Sequence, residues 1–512
     1  MFLRYFFYLL ILLAIKALVM VFVIIHSGIG LGPDEAQYWT WSHMLDWGYY
    51  SKPPGIAWQI WLGTRLFGDT ELGVRFFSLV IGTLIPLSVF ALGKNCRLSP
   101  QACFWAAAAM AFSPIGMFAS LLAITDGGMV LFWGVASAYL AGKIEKQEMP
   151  NYYLLGAWIF AGALFKWPIY WFWPIVFGAW MRWRWLASWH IIGGMIISLV
   201  ALLPSVYWNA THEWATFRHV FATMKGGNGL SKGGALVNGN ALEFIGAQAG
   251  LVSPILFILL LMAFWTIFRN KKTVPAGVLF CGIVSIVILG LSTAVSLRMK
   301  MQGNWAIFAY PTAFVALSWY ACDKVTWGKG WVIGGVGFSL AACLLALSIP
   351  FMQSHPVLSS LKIPYRLSPF RHNVGWDHLS YVLMEAGYNP KRDFLFGDKY
   401  QMASILSFYG PGQKRAYFLN LQGIRKNQFS YWPEMFEEQK HRRGFFVAVE
   451  NASQLNLSYV ETYFNRLKPF FNHVNLLGIE PIFWSYGQSA KVALIFECQD
   501  YNGEMPVNPE LY

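Results

Sequence analysis

Hydrophobic positions along the chain come in long blocks rather than in alternation. Apolar runs fall near residues 5–27, 72–93, 101–123, 127–142, 152–165, 168–181, 188–208, 244–268, 276–297, 305–321 and 331–350. A helix needs about 20 apolar residues to cross a hydrocarbon layer, with about 17 as the lower end. The pattern predicts about eleven helical spans, and the three short runs between 127 and 181 have the least defined ends. The first run is too long for a secretory signal and lacks a small-residue cleavage site before "GPDE", so it reads as a retained helix. After Pro350 the blocks stop. Strand-like pieces ("RDFLFG", "RAYFLN", "GFFVAVE", "KVALIFEC") then alternate with helix-like ones ("GWDHLSYVLMEAG", "SYVETYFNRL"). This predicts a small α/β domain. The expected organisation is a membrane unit over 1–350, with a chemistry-bearing first loop at 28–70, and a separate domain over 351–512.

Composition agrees. Of 512 residues, 56% are hydrophobic and 12% charged, half the charged share of about 25% in soluble domains. The net charge of +13 sits in short clusters between spans and in no nucleic-acid module, which excludes nucleic acid as a partner. The clusters "KNCR" (94–97), "KIEK" (143–146), "RWR" (182–184), "RNKK" (269–272) and "DKVTWGK" (323–329) occupy alternate connections. The positive-inside rule places them in the cytoplasm. Residues 28–70, 209–243, the loop around Lys300 and everything after 350 then face outward. Lys52, Arg65, Arg298 and Lys300 oppose that trend and invite a functional reading. Five of six cysteines fall in or at the cytoplasmic ends of spans. Cys498 is alone in the outer domain, which excludes an internal disulfide there. No Cys/His spacing of a structural zinc site occurs.

The first outward loop carries "GPDEAQYWTWSHMLDWGYYSKPPG" over Gly32–Gly55. It combines Asp34, Glu35 and Asp46 with Lys52 and many aromatic rings. Its aromatic and polar residues interleave as in an amphipathic helix lying in the membrane interface. One reading is an aromatic belt with solvated acids. The other is a catalytic carboxylate at the membrane surface, with Lys52 facing an anionic lipid head. Three features favour the second. Asp126 in "ITDGGM" is a carboxylate at the hydrocarbon edge, although it also suits a helix cap. Arg298, Lys300, Asn304 and Trp305 lie together in "SLRMKMQGNWAIFAYP", where snorkelling is the alternative for the cations. The tail repeats a polar–aromatic cluster in "FGDKYQMASILSFYGPG". Lys16, inside the first span, reads as buried against a neighbour or snorkelling. Lys166, beside Trp167 and Pro168, reads as facing outward.

Taken together, the "DE" after the first span, "YYSKPPG" before the second, the aspartate after the third and "K-x-Q-x-N-W" near the tenth resemble the GT-C membrane glycosyltransferases. More narrowly they resemble the bacterial relatives of protein O-mannosyltransferases and of the lipid A aminoarabinose transferases. The tail's "DKYQMASILSFYGPG" and "NQFSYW" are similar to the outer domain of that branch, so the resemblance runs along nearly the whole chain. It implies an α-helical polytopic membrane protein of GT-C type with a C-terminal extracytoplasmic α/β domain, in the bacterial inner membrane. It implies an inverting transfer of a sugar from a polyprenyl-phosphate donor to lipid A or its core, another glycolipid or a protein, on the outer face. On this resemblance Asp34 is the general base, and Glu35 and Asp126 orient the base or sugar hydroxyls. Lys52, Arg298 and Lys300 are phosphate-binding candidates. Tyr38 and Trp305 stack on sugar or prenyl chain, with Asn304 beside them in substrate binding. No nucleotide or organic cofactor is required, and a divalent metal is left open. Ser51 stands where the aminoarabinose transferases carry a glutamate, so neither a metal site built on that glutamate nor that sugar is implied. A rival reading is a transporter or flippase of lipid-linked sugars, which would place ionisable groups near the midplane of related halves. Here they gather at the outer ends. A receptor or scaffold would account for the tail but not for acids at the membrane.

Overall fold

The structure, a computed structural model, describes residues 1–224, 239–354, 364–506, 509 and 511. Part of the expected 209–243 loop (225–238) and the junction after the last span (355–363) lie outside the described residues. Four N-terminal helices frame the first loop: α1 (Phe2–His26), α2 (Pro33–His43), α3 (Gly55–Phe67) and α4 (Glu71–Asn95).

Each of the eleven apolar runs is helical. Among the described residues, seven helices are long and apolar enough to cross a membrane: α1, α4, Asp126–Lys146, His190–Thr211, Ala276–Ser296, Gly303–Lys324 and Gly328–Gln353. Two runs are bent pairs, Pro100–Phe112 with Pro114–Leu121 (56°) and Ala241–Val252 with Pro254–Arg269 (106°), which raises the count to nine if each is one span. The runs at 152–165 and 168–181 give helices of 12 and 11 residues, Tyr152–Ala163 and Phe172–Arg182, too short to span alone.

The bends follow from the sequence. A proline cannot donate to the preceding turn and disfavours helical geometry in the residue before it. Pro114 and Pro254 each restart a helix at its first position. Ser253, at φ 88°, makes the sharper turn and caps the new helix by accepting from the Leu256 N–H. The first break also settles the position of Lys16. Its ammonium is 4% exposed and donates to the Gly116 carbonyl at 2.9 Å, so it is buried against a neighbour rather than snorkelling.

The C-terminal domain holds a five-stranded sheet of order β2-β1-β3-β5-β4, formed by β1 (Phe394–Gly397), β2 (Tyr417–Phe418), β3 (Gly444–Asn451), β4 (Phe471–Ser485) and β5 (Gln488–Tyr501). β1 is parallel to both β2 and β3, whereas β3–β5 and β5–β4 are antiparallel. The four expected strand pieces and both helix pieces, now Leu379–Glu385 and Leu457–Leu467, are present. β4 is an addition. It is the edge strand, and its pairing with β5 is irregular around Gly478 and Pro481, where proline and glycine are tolerated only because an edge or a bulge releases the ladder.

The domain and the first loop share one core. Tyr38, Trp39 and Trp41 of α2 pack in the same cluster as Ala403, Leu406 and Phe408 of the helix Tyr400–Tyr409. Residues Glu35 to Ser42 are all buried. The expectation of an interface-lying amphipathic helix is corrected here. α2 has bundle helices on one side and the domain on the other, so no face is left for lipid. Tyr409 ties the two parts by polar contacts. Its hydroxyl accepts from the Leu31 N–H (2.6 Å) and donates to Glu71 (2.8 Å). A side chain at Gly30 would strike this hydroxyl, which is why the loop carries glycine there.

Candidate active site

The site is built from the α2 N-terminus outward. Pro33 occupies the first helical position, where a missing N–H costs nothing. Glu35, two residues on, reaches back to accept from the Gly32 N–H at 2.9 Å. Its other contacts are stronger. Arg75 of α4 grips it with two hydrogen bonds of 2.9 and 2.8 Å, and the Ala123 N–H donates to it at 2.8 Å. Arg75 also donates to the carbonyls of Ile29 and Gly30, each at 2.8 Å. Glu35 is 2% exposed and Arg75 0%. Both Glu35 oxygens are thus taken by protein donors. The expected role of orienting sugar hydroxyls is not available to it in this arrangement; it holds α2 in place.

Asp34 is the opposite case. It is exposed and accepts no hydrogen bond from a described residue. The surrounding protein nevertheless raises its carboxyl above the usual range, with nearby Glu35 adding to the effect and Lys52 opposing it. A carboxylate that is free, accessible and raised in pKa has the attributes of a general base.

Lys52 lies beyond a tight turn closed by reciprocal Tyr49–Lys52 backbone bonds of 3.1 and 3.4 Å. Its ammonium is pushed below the usual range, first by burial and then by Lys166, while Asp126 and Asp34 pull it back and Arg425 lowers it further. Those influences name the neighbourhood. Asp126 is ion-paired to Lys166 at 2.7 Å and does not cap its helix. Lys166 does face the same side as Asp126, as its position suggested. Arg425, from the C-terminal domain, hydrogen-bonds with Tyr400 and lies 3.4 Å from the His219 ring nitrogen. Burial and the Arg425 and Lys52 charges lower His219 to about 4, which keeps the ring neutral. Tyr38, 5% exposed, lies within the field of Asp34, Asp126 and Tyr400.

The cluster therefore holds Asp34, Lys52, Tyr38 and Asp126, which the sequence singled out, and adds Lys166, Arg425, His219 and Tyr400. Lys52 and Arg425 have no carboxylate within ion-pair distance among the described residues. Two free cations beside a free carboxylate can hold an anionic leaving group while a proton is taken. Arg298 and Lys300 are exposed, and no hydrogen bond or ion pair joins them to the cluster. Asn304 and Trp305 are half-buried on the same connection, and the Trp305 indole donates to Gln302 at 3.2 Å. Among the described residues, no hydrogen bond or ion pair joins any of these four to Asp34. A metal finds no fitting donors either: Ser51 offers no carboxylate, and no three His, Cys, Asp or Glu side chains converge among the described residues.

Comparison with known proteins adds an independent line. Residues 51–208 match the family described as dolichyl-phosphate-mannose-protein mannosyltransferase, a segment that includes Lys52, Asp126 and Lys166. The lipid A galacturonosyltransferase RgtD of Rhizobium johnstonii is 28% identical over 331 residues, covering 62% of this chain and 66% of that protein, just under two thirds of its length. The undecaprenyl phosphate-α-4-amino-4-deoxy-L-arabinose arabinosyl transferase of Pseudomonas paraeruginosa is 28% identical over 199 residues, 34% of this chain and 35% of its own. The structure of ArnT from Cupriavidus metallidurans bound to undecaprenyl phosphate superposes with a TM-score of 0.62 at 14% identity, over 95% of this chain and 97% of that one. The fold is shared with ArnT from end to end, and the matched segment and the two relatives make the chain similar to membrane glycosyltransferases.

Proposed function

We propose that the protein transfers a sugar from a polyprenyl phosphate to a phosphorylated glycolipid acceptor of the lipid A class, with inversion, on the periplasmic face of the inner membrane. The observation that carries this reading is the free carboxylate of Asp34 set beside the unpaired cations Lys52 and Arg425. In this scheme an acceptor hydroxyl attacks the anomeric carbon as Asp34 takes its proton. The bond from that carbon to the phosphate oxygen breaks, and the departing prenyl phosphate gains charge that Lys52 and Arg425 offset. Asp126, held by Lys166, orients the sugar hydroxyls. Glu35 and Arg75 fix the helix that carries the base. The names of the relatives support a lipid-linked donor and a lipid A acceptor, and the basic connections support a periplasmic site. A transporter is less well supported, because the ionisable cluster lies at one end of the bundle rather than at the midplane.

The test is mass spectrometry of lipid A and its core from a deletion strain, its parent, and strains complemented with wild type or Asp34→Asn. The expected result is loss of one sugar mass in the deletion, restored by wild type but not by Asp34→Asn. Identical glycolipid masses in deletion and parent would refute the acceptor class, and full complementation by Asp34→Asn would refute the base.

A further inference from the structure

The Asp398–Gln401 stretch reaches beyond the cluster just described. Tyr400 lies within the field of Asp34 and Arg425. Its chain neighbours Lys399 and Gln401 line a different space, a cavity of about 430 Å³ in the C-terminal domain. That volume falls within the roughly 300–1,000 Å³ of small-molecule sites. The cavity opens where β1 and β3 end: Asp398 and Lys399 directly follow β1, and Ala448 to Asn451 finish β3. The carboxyl ends of adjacent parallel strands are where open α/β sheets bind ligands. Pro33, the residue before Asp34, forms part of the wall.

The wall carries basic side chains that are not ion-paired to any described residue. Arg371, His372, Lys399 and Lys491 face Asp398 and Glu450. Asp398 accepts from Tyr463 and Gln422, and one Glu450 oxygen accepts from Tyr459. No cation of this set has a carboxylate partner among the described residues. Arg371 donates to the Arg366 carbonyl (2.9 Å) and to the His372 ring (3.1 Å). Lys491 is 6% exposed, donates to the Val374 carbonyl at 2.9 Å and sits 3.4 Å over the Trp376 ring. An ammonium has three donors, and burial holds this one at a pKa of about 7. Arg371 is exposed and Lys399 half-buried on this wall, so both stay charged, with no carboxylate paired to them among the described residues, and can meet an incoming anion. The remaining wall offers aromatic faces (Trp376, Tyr459) and amides (Gln401, Asn451), the surfaces that a saccharide's apolar face and hydroxyls meet.

We infer that this cavity binds the anionic saccharide headgroup of the acceptor, a phosphorylated glycolipid, and presents its hydroxyl past Pro33 to Asp34. The inference rests on the function proposed above and adds where the acceptor is read.

The test compares the full-length enzyme with Arg371→Ala, Lys399→Gln and their combination, using a lipid-linked donor and two acceptors that differ only in carrying or lacking the saccharide phosphates. The wild type should favour the phosphorylated acceptor by at least about tenfold in kcat/KM. The double variant should lower that preference to below about threefold while turning over the dephosphorylated acceptor as wild type does, so a folding defect cannot mimic the result. A preference unchanged in the variants, or absent in the wild type, overturns the inference and leaves the transferase reading standing. No transfer by wild type to either acceptor overturns the transferase reading itself. Millimolar inorganic phosphate separates the two sources of anion. Continued preference in its presence supports recognition of the headgroup, and loss of the preference shows a site for free phosphate and overturns the inference.

Discussion

Glu35→Gln separates a structural role for this carboxylate from a chemical one. The substitution keeps size and one acceptor oxygen but removes the negative charge facing Arg75. Arg75 is fully buried, and two of its four hydrogen bonds go to Glu35. The substituted amide also loses an acceptor toward either Gly32 or Ala123, because one of the two oxygens becomes a donor. Removing one member of a buried ion pair costs about 3–5 kcal/mol, since the other charge stays in low dielectric. That is a factor of roughly 10² to a few times 10³ in the folded-to-unfolded ratio. Equilibrium unfolding of the purified protein in mixed detergent micelles should show this loss. Arg75→Met combined with Glu35→Gln should be less destabilised than the sum of the single variants by about 0.5–3 kcal/mol, the range for residues in direct contact. A Glu35→Gln protein within about 1 kcal/mol of wild type but inactive would refute the structural assignment and move Glu35 into the chemistry.

Further outcomes are expected from the cluster. The acid limb of the kcat/KM pH profile, which reports the free enzyme, should lie above the ordinary carboxylate range, because the surrounding protein raises Asp34, and Lys52→Met should move it higher still by removing the cation that lowers Asp34; a limb that stays in place would exclude Asp34 as its source. Asp34→Asn should lower turnover by about 10²-fold or more with folding intact, read by turnover and thermal unfolding of the same preparation. Arg425→Met should weaken donor binding and turnover, whereas Arg298→Gln and Lys300→Gln should change either by less than about twofold, measured by donor titration; equal losses at all three sites would mean that the phosphate is read elsewhere. His219→Gln should leave the limb between pH 5 and 8 unmoved, because the ring, lowered to about 4, is neutral throughout that range.

The helical runs, the α/β tail and the pair Asp34 and Lys52 are legible in sequence because each is a local pattern: a run of apolar residues, an alternation, a charged loop between spans. What is not legible depends on contacts between distant segments. Arg75 sits inside an apolar run, and nothing in its neighbours indicates that it closes on Glu35, 40 positions away. Arg425 lies in an irregular connection of the tail, 206 residues from the histidine beside it; the only local sign was an aromatic and polar cluster, "NQFSYW", that follows it. Arg298, Lys300, Asn304 and Trp305 show the converse. Their spacing drew attention to a charged connection but could not show that no hydrogen bond or ion pair would tie it to the carboxylate. β4 was missed because Gly478 and Pro481 interrupt its alternation, and an edge strand tolerates both.

The core shared by the first loop and the C-terminal domain has a consequence in time. The Leu31 N–H finds its acceptor on Tyr409, 378 residues later. At about 5–20 residues per second, a growing chain takes roughly 20–75 s to make that stretch. Throughout it, the tryptophans of α2 have already been made while the helix that will cover them has yet to leave the ribosome. Biogenesis therefore passes through an intermediate in which the aromatic face of α2 lacks its cover and remains open to off-pathway association. A chain that stops near residue 354 would stay in that state permanently, so loss of the tail uncovers α2 and does not merely remove a peripheral module.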